Sequence, residues 1–300
     1  SGTSGDGVDV SIIQSDGDAE YKLILDRYFK YSHGIYENIH TLKDKINTLK
    51  DLKKLSKEID FLEREITIFH AKVVNEIIKE SEPNIDLIGF HGQTIFHNAK
   101  EKISKQLGDG ELLSKKTKKT VIYDFRQNDL KNGGEGAPLA PIFHKLLVKT
   151  FKDRRKLKLP VIILNIGGIA NITFINKKYE MLSMDIGPGN CLIDKWIRLN
   201  SDKNFDENGD ISKSGKIDKF ILDQALDNFY NNKISKKKSL DTNDFDLSFA
   251  RGLSLENGAA TITEFTADIL SKKILNVDVY VCGGGRKNKF LLESMQKKIA

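Results

Sequence analysis

Two stretches of the sequence share one plan, a glycine-rich turn feeding an apolar strand. They are "SGTSGDGVDVSII" at 1–13 and "LNIGGIANITFI" at 164–175. Such turns let successive backbone N–H groups line an anion-binding concavity, and glycine keeps the way clear for a phosphate. Each turn alone is equally an ordinary hairpin. Two of them, one per half, with a third glycine run in "VCGGGRKN" at 281–288, predict two halves built alike around backbone-rich loops. No Gly-Lys-Ser/Thr follows any of them and none reads G-x-G-x-x-G, which excludes a P-loop NTPase and a dinucleotide dehydrogenase.

The intervening pattern is α/β. "VDVSIIQSDG" alternates up to a turn at Asp16–Gly17, and "YKLILDRYFKYSHG" reads as a second strand. From Tyr36 to Lys79 the pattern is helical, with Leu52, Leu55, Ile59, Leu62 and Ile66 marking one buried face up to the break at Pro83–Asn84. "IDLIGFHGQT" and "TVIYDFRQND" are strands with polar ends, "LKNGGEGAPLAP" is a loop and "IFHKLLVKTF" a short helix. "KDRRKLKLP" is the candidate junction, which predicts domains at 1–155 and 156–300. Beyond it come strand, glycine turn and strand, then "YEMLSMDIGPGN", the helices "CLIDKWIRLN" and "SLENGAATITEFTADILSKKIL", the strand "VDVYVC" and a closing helix "NKFLLESMQKKI". Strands alternating with helices in both halves define the class.

Composition narrows the partners. With 39% hydrophobic and 30% charged residues the chain is globular, and no apolar run is long enough to cross a membrane. Its polar start carries no secretory h-region, which predicts a cytoplasmic protein without a membrane partner. Cys191 and Cys282 have no ligand spacing and read as reduced, buried thiols. The net charge is +6, but only 8 of the 48 basic residues are arginine. The lysines scatter among acids and asparagines as solvated faces, which argues against a nucleic-acid partner.

Chemistry concentrates in three segments. In "DIGPGN", Asp185 ends an apolar strand, where open sheets present reacting groups, and Gly187 and Gly189 leave room for a substrate. A carboxylate there can take a proton from water or a hydroxyl. A helix beginning near Asn190 favours anionic groups. "GFHGQTIFHN" holds His91 and His97 in poor metal-ligand spacing, so His91, Gln93 and Thr94 read as polar groups lining a cleft. "DFRQND" brings Asp124, Arg126 and Asp129 as a sugar or carboxylate clamp. Each has a bland counterpart: a turn-stabilising Asp, a structural polar turn, a surface ion pair.

Taken together, "SGTSGDGVD", "GFHGQTIFHN", "DFRQNDLKNGGEGAPLAP", "LNIGGIANIT", "DIGPGNCLIDKW" and "VCGGGRKN" resemble the signature segments of the anhydro-N-acetylmuramic acid kinase family, in the family's order and across nearly the whole chain. The resemblance implies the sugar-kinase/Hsp70/actin fold, two ribonuclease-H-like halves with ATP and substrate in a cleft. It also implies a reaction in which water opens the anhydro bridge at C1 while the ATP γ-phosphoryl goes to O6, giving N-acetylmuramate 6-phosphate. Asp185 would be the general base. Gly2, Thr3, Ser4, Gly5, Asp6, Gly7, Val8 and Asp9 would form the first phosphate loop, Gly167, Gly168 and Asn171 the second, and Gly283, Gly284 and Gly285 would lie under the adenosine. Mg²⁺ would bridge the phosphates. His91, Gln93, Thr94, Asp124 and Arg126, with Gly187, Gly189 and Asn190, would face the sugar, Arg126 pairing with its lactyl carboxylate. A homodimer is a state the family often adopts. Family members also carry a strand ahead of the first turn and a further strand and helix beyond the last segment, with a substrate-site glutamate, which this sequence lacks. A nucleotide-binding sensor of the same superfold and a kinase of another sugar are the competing readings.

Overall fold

In the computed structural model, residues 5–80, 84–155, 157–231, 240, 242–274 and 277–299 are described. They form a mixed α/β protein of two compact units, Ser1–Leu139 and Ala140–Ala300.

Unit 1 opens with the hairpin β1 (Gly7–Ser15) and β2 (Tyr21–Lys30), turned at Asp16, whose Oδ1 accepts the amides of Asp18, Ala19 and Glu20 at 3.0, 2.9 and 2.8 Å. The helical region that follows is three helices rather than one: α1 (His33–Lys45), α2 (Leu49–Lys54) and α3 (Ser56–Glu80). A capping box between Thr48 and Asp51 starts a new helix inside the periodic stretch and so breaks it. The apolar stripe works as its spacing requires. Ile59, Leu62 and Ile66 are buried with Ile39 and Leu42 of α1 and with Val8, while Leu52 and Leu55 pack at its margin. Each such side chain contributes about 1.5–3 kcal/mol on full burial. Next come β3 (Leu87–Phe90), β4 (Gln93–Asn98), β5 (Ile103–Leu107), α4 (Gly110–Thr117), β6 (Thr120–Tyr123) and α5 (Phe125–Lys131). β3 pairs with β6 in parallel and β4 with β5 antiparallel.

Unit 2 comprises α6 (Pro141–Arg155), β7 (Val161–Ile166), β8 (Ile169–Ile175), β9 (Met181–Pro188), α7 (Cys191–Asn200), α8 (Asp210–Ser214), α9 (Lys219–Asn231), α10 (Leu255–Ser271), β10 (Asp278–Cys282) and α11 (Lys289–Ile299). Its four-stranded sheet has the order β10-β7-β8-β9. β10 is parallel to β7 and the other pairs are antiparallel, so β7, β9 and β10 share one direction. One face, with Ile162, Leu164, Ile166, Ala170, Ile172 and Ile186, packs on Ala267 and Leu270 of α10 and Leu291 and Met295 of α11. The other face carries Val161 and Ile175 against Val148 of α6. Burial on both faces explains why β7 is an unbroken apolar run up to Asn165.

The division falls after Leu139, ahead of the junction expected at 155/156. The reason is α6. Besides Val148, it sends His144 to Thr173 of β8, with Nδ1 2.7 Å from Oγ1, which makes α6 part of the second sheet's packing. Among the described residues no helix is long and apolar enough to cross a membrane.

Candidate functional site

The three co-directional strands of unit 2 bring three glycine-bearing segments to one edge of the sheet, at their carboxyl ends. β7 runs into Gly167–Gly168, β9 into Gly187–Asn190, and β10 into Gly283–Gly285. They are tied together. The Gly167 carbonyl accepts the Asn190 amide at 2.7 Å, and the Gly168 carbonyl accepts the amides of Gly189 and Cys191 at 2.9 and 3.1 Å. A Cβ on Gly189 would stand 2.2 Å from the Gly167 oxygen, so only glycine permits the latch. A Cβ on Gly283, at φ +80°, would meet Asn165 Oδ1 at 2.5 Å. The Asn190 side chain adds Nδ2 to the Ile166 carbonyl at 3.5 Å.

The amides of Asn190 and Cys191, the N-cap and first residue of α7, are committed to the turn's carbonyls. In a planar trans peptide the N–H points opposite its C=O. The Gly168 N–H therefore points opposite to the Gly167 carbonyl that holds the Asn190 amide.

Asp185 reaches the same edge through a bulge. Asn171 of β8 pairs with Asp185 and Ala170 with Gly187, which leaves Ile186 as the extra residue. Bulges of this kind re-aim side chains beside active sites. The register also aligns Cys282, Asn165, Asn171 and Asp185 in one polar row across all four strands. The Cys282 Sγ–H donates to Asn165 Oδ1 at 3.8 Å, and burial pushes its thiol pKa up, which keeps it a donor. Asp185 is half-buried, and its Oδ2 accepts the Leu240 amide at 2.9 Å. Asn165 is the residue that sequence reasoning missed. Its signal was a lone amide ending the apolar run "VIILNI".

Unit 1 holds a second polar cluster. His91 follows β3, with Nδ1 2.9 Å from the Gly92 carbonyl and Nε2 accepting from Arg126 Nε at 2.9 Å. Burial, and then the Arg126 charge, push the His91 pKa down to about 4. Arg126 also donates from Nη1 to the Gly136 carbonyl at 3.4 Å, while Asp129 Oδ2 accepts the Gly136 amide at 2.7 Å. Asp129 therefore shapes the glycine loop, a role the clamp reading did not foresee. Asp124 is exposed and left-handed at φ +62°, and its side chain makes no capping bond to α5. Aspartate is among the few non-glycine residues that adopt this conformation readily, here as the entry to α5.

The remaining candidates are placed as follows. Gly2, Thr3 and Ser4 lie outside the described residues. Gly5 is buried, and Gln93, 0% exposed, lies below it instead of lining a surface. The Asp6 carbonyl accepts the Tyr31 amide at 3.0 Å. Burial and a hydrogen bond to the Asp6 carboxylate raise the Tyr28 pKa. Gly7 begins β1, where Val8 points into the core and Asp9 stays exposed. Thr94 Oγ1 accepts from Gln106 Nε2 at 3.3 Å. His97 bonds Ser104 through Nδ1 at 3.1 Å, and among the described residues no group of three His, Cys, Asp or Glu could hold a metal ion.

Comparison with known proteins adds an independent line. A family model described as "Anhydro-N-acetylmuramic acid kinase" matches residues 1–300. A protein of that name from Pelagibacter ubique (strain HTCC1062) is 53% identical over 310 residues, covering 100% of this chain and 82% of the relative. Proteins of the same name from Brucella canis (strain ATCC 23365 / NCTC 10854 / RM-666) and Acidiphilium cryptum (strain JF-5) are each 34% identical, covering 98% and 100% of this chain and 80% and 82% of theirs. Among solved structures, the activator of the 2-hydroxyisocaproyl-CoA dehydratase from Clostridium difficile with bound ADPNP aligns at 16% identity and TM-score 0.36, over 63% of this chain and 70% of that one. That match is too loose to add to the argument.

Proposed function

The chain belongs to the anhydro-N-acetylmuramic acid kinase family, and on that premise we propose that it opens the 1,6-anhydro bridge of its sugar with water and phosphorylates O6 from ATP. It is a kinase, and the residues singled out above divide the labour. Asp185 takes a proton from water as the water oxygen bonds to C1. The C1–O6 bond breaks, O6 bonds to the γ-phosphorus, and ADP leaves. The products are N-acetylmuramate 6-phosphate, ADP and a protonated Asp185 that returns its proton to solvent.

The observation that carries this reading is the bulge at Ile186, which delivers Asp185 to the sheet edge where the Gly167–Gly168 and Gly283–Gly285 segments meet. Phosphoryl transfer is chiefly positioning and electrostatics, and a fixed backbone edge suits it. The Leu240 amide on Asp185 Oδ2 fixes the plane of the carboxylate. Glycines packed too closely on their neighbours for a Cβ hold this edge rigid, and the open backbone at Gly167 and Gly284 leaves room for a nucleotide's phosphates to approach. Mg²⁺ would supply charge neutralisation on those phosphates. A cation that keeps most of its waters needs no protein cage, and none is present among the described residues. We assign the sugar to the unit 1 cluster around Arg126, with the guanidinium receiving the lactyl carboxylate. We read the units as ribonuclease-H-like halves of a cytoplasmic enzyme.

Incubation of the protein with Mg-ATP and 1,6-anhydro-N-acetylmuramic acid in ¹⁸O-water, followed by mass spectrometry, tests the reaction. N-acetylmuramate 6-phosphate labelled at its anomeric oxygen is the expected product. An unlabelled phosphorylated sugar would mean phosphorylation without hydrolysis and would refute the role of Asp185.

A further inference from the structure

The His91 ring has both nitrogens engaged. Nδ1, 2.9 Å from a carbonyl that can only accept, carries the proton, and the Nε2 lone pair receives the Arg126 Nε–H at 2.9 Å. One tautomer alone satisfies both contacts. The Gly92 carbonyl that fixes it belongs to the next residue, so the ring is oriented by its own turn between β3 and β4. The Arg126 side chain, from the first turn of α5, is then held on a second edge by the Gly136 carbonyl, and Asp129 pins Gly136 in turn. Burial keeps the imidazole neutral, which suits an acceptor facing a guanidinium.

We infer that His91 is a positioning residue for Arg126, setting the direction of the guanidinium toward an anionic sugar, and that it makes no contact with the sugar through its ring nitrogens. A neutral imidazole can orient a cation without adding the negative charge that a carboxylate would bring. This inference rests on the reading of Arg126 as the receiver of the sugar's carboxylate. It turns His91 from a ligand-facing group into the support of one.

The test is equilibrium binding of two sugars, measured by calorimetry on the whole chain. One is 1,6-anhydro-N-acetylmuramic acid and the other 1,6-anhydro-N-acetylglucosamine, which lacks the lactyl carboxylate. The variants are His91→Leu, Arg126→Ala and the double. Losing one charge-assisted contact weakens binding by about 10-fold. His91→Leu should therefore weaken the acid sugar by about 10-fold and leave the neutral sugar within about 2-fold, while ATP binding stays put. In the Arg126→Ala background the same change should have no further effect, because His91 acts through Arg126. His91→Gln, which retains an acceptor, should restore part of the preference. Effects that multiply in the double variant, or an equal loss for both sugars, would overturn the inference. Arg126→Ala binding both sugars like the parent would refute the reading of Arg126, and the role of His91 with it. Should His91→Leu fail to fold, His91→Asn carries the same cycle.

Discussion

Asp185 owes its position to one inserted residue. Without Ile186 as the bulge, the alternation of β9 would present a different side chain beside Asn171. Asn in its place can still accept the Leu240 amide through its oxygen, so Asp185→Asn removes the base and leaves the local structure. Turnover should fall by about 10³-fold, within the usual range for losing a general base, while ATP affinity changes by less than about 3-fold. Rapid-quench kinetics and equilibrium nucleotide binding check the two halves of that statement. If turnover survives, Asp185 is not the base. That Asp185 closes an apolar strand ahead of a glycine-proline turn was legible in the sequence, whereas the bulge that sets it beside Asn171 was not. Gln93 was legible as a polar residue in the right segment but not as a buried one, since residue type does not report burial. Asn165 escaped notice because its partners, Cys282 and Gly283, lie more than a hundred positions away in the chain.

At the scale of elements, the glycine segments of unit 2 follow strands as the sequence pattern suggested, but what holds them is tertiary. Gly283 and Gly284 are adjacent and not equivalent. Alanine at Gly283 must adopt φ +80° and would drive its Cβ to 2.5 Å from Asn165 Oδ1, whereas at Gly284 the nearest atom is 3.7 Å away, an ordinary contact. Gly283→Ala should cost about 1–3 kcal/mol of stability and weaken ATP binding, with Gly284→Ala close to neutral. Urea titration of both variants decides it, and equal losses would show that the loop tolerates no side chain anywhere. The break between α1 and α2 was written locally, as Thr48 and Asp51 in capping-box spacing, but the strong apolar period of the flanking helices masked it. β4 and β5 were hidden for another reason. "QTIFHN" looks like a polar turn until its antiparallel partner supplies the ladder. The allegiance of α6 to unit 2 depends on Val148 and His144 finding β7 and β8, which no local pattern reveals.

The whole molecule should respond to acid unevenly. In unit 1, His70 is 5% exposed, with Nδ1 2.8 Å from the Ile66 carbonyl and its ring against Phe90, and burial lowers its pKa to about 4. His91 is lowered to about 4 as well, also by burial first. In unit 2, burial lowers the pKa of His144. A histidine whose folded pKa lies below its unfolded value near 6.5 binds its proton more readily when unfolded. Its stabilisation is therefore complete above the unfolded value and is lost as pH falls toward the folded one. Each of the two in unit 1 contributes on the order of 2–3 kcal/mol across that window. Unit 1 should thus weaken first between about pH 6.5 and 4. The chain carries its own reporter for this. Trp196 is the single tryptophan, buried in unit 2 with Nε1 2.9 Å from the Leu255 carbonyl, so its fluorescence follows unit 2 alone, whereas far-ultraviolet circular dichroism follows both. On acidification from about pH 7.5 to 5, the dichroism transition should move to lower temperature ahead of the tryptophan transition, and His70→Leu should narrow the gap. Two transitions that stay superimposed at both pH values would mean that the units unfold as one, and that the buried histidines of unit 1 do not govern its acid sensitivity.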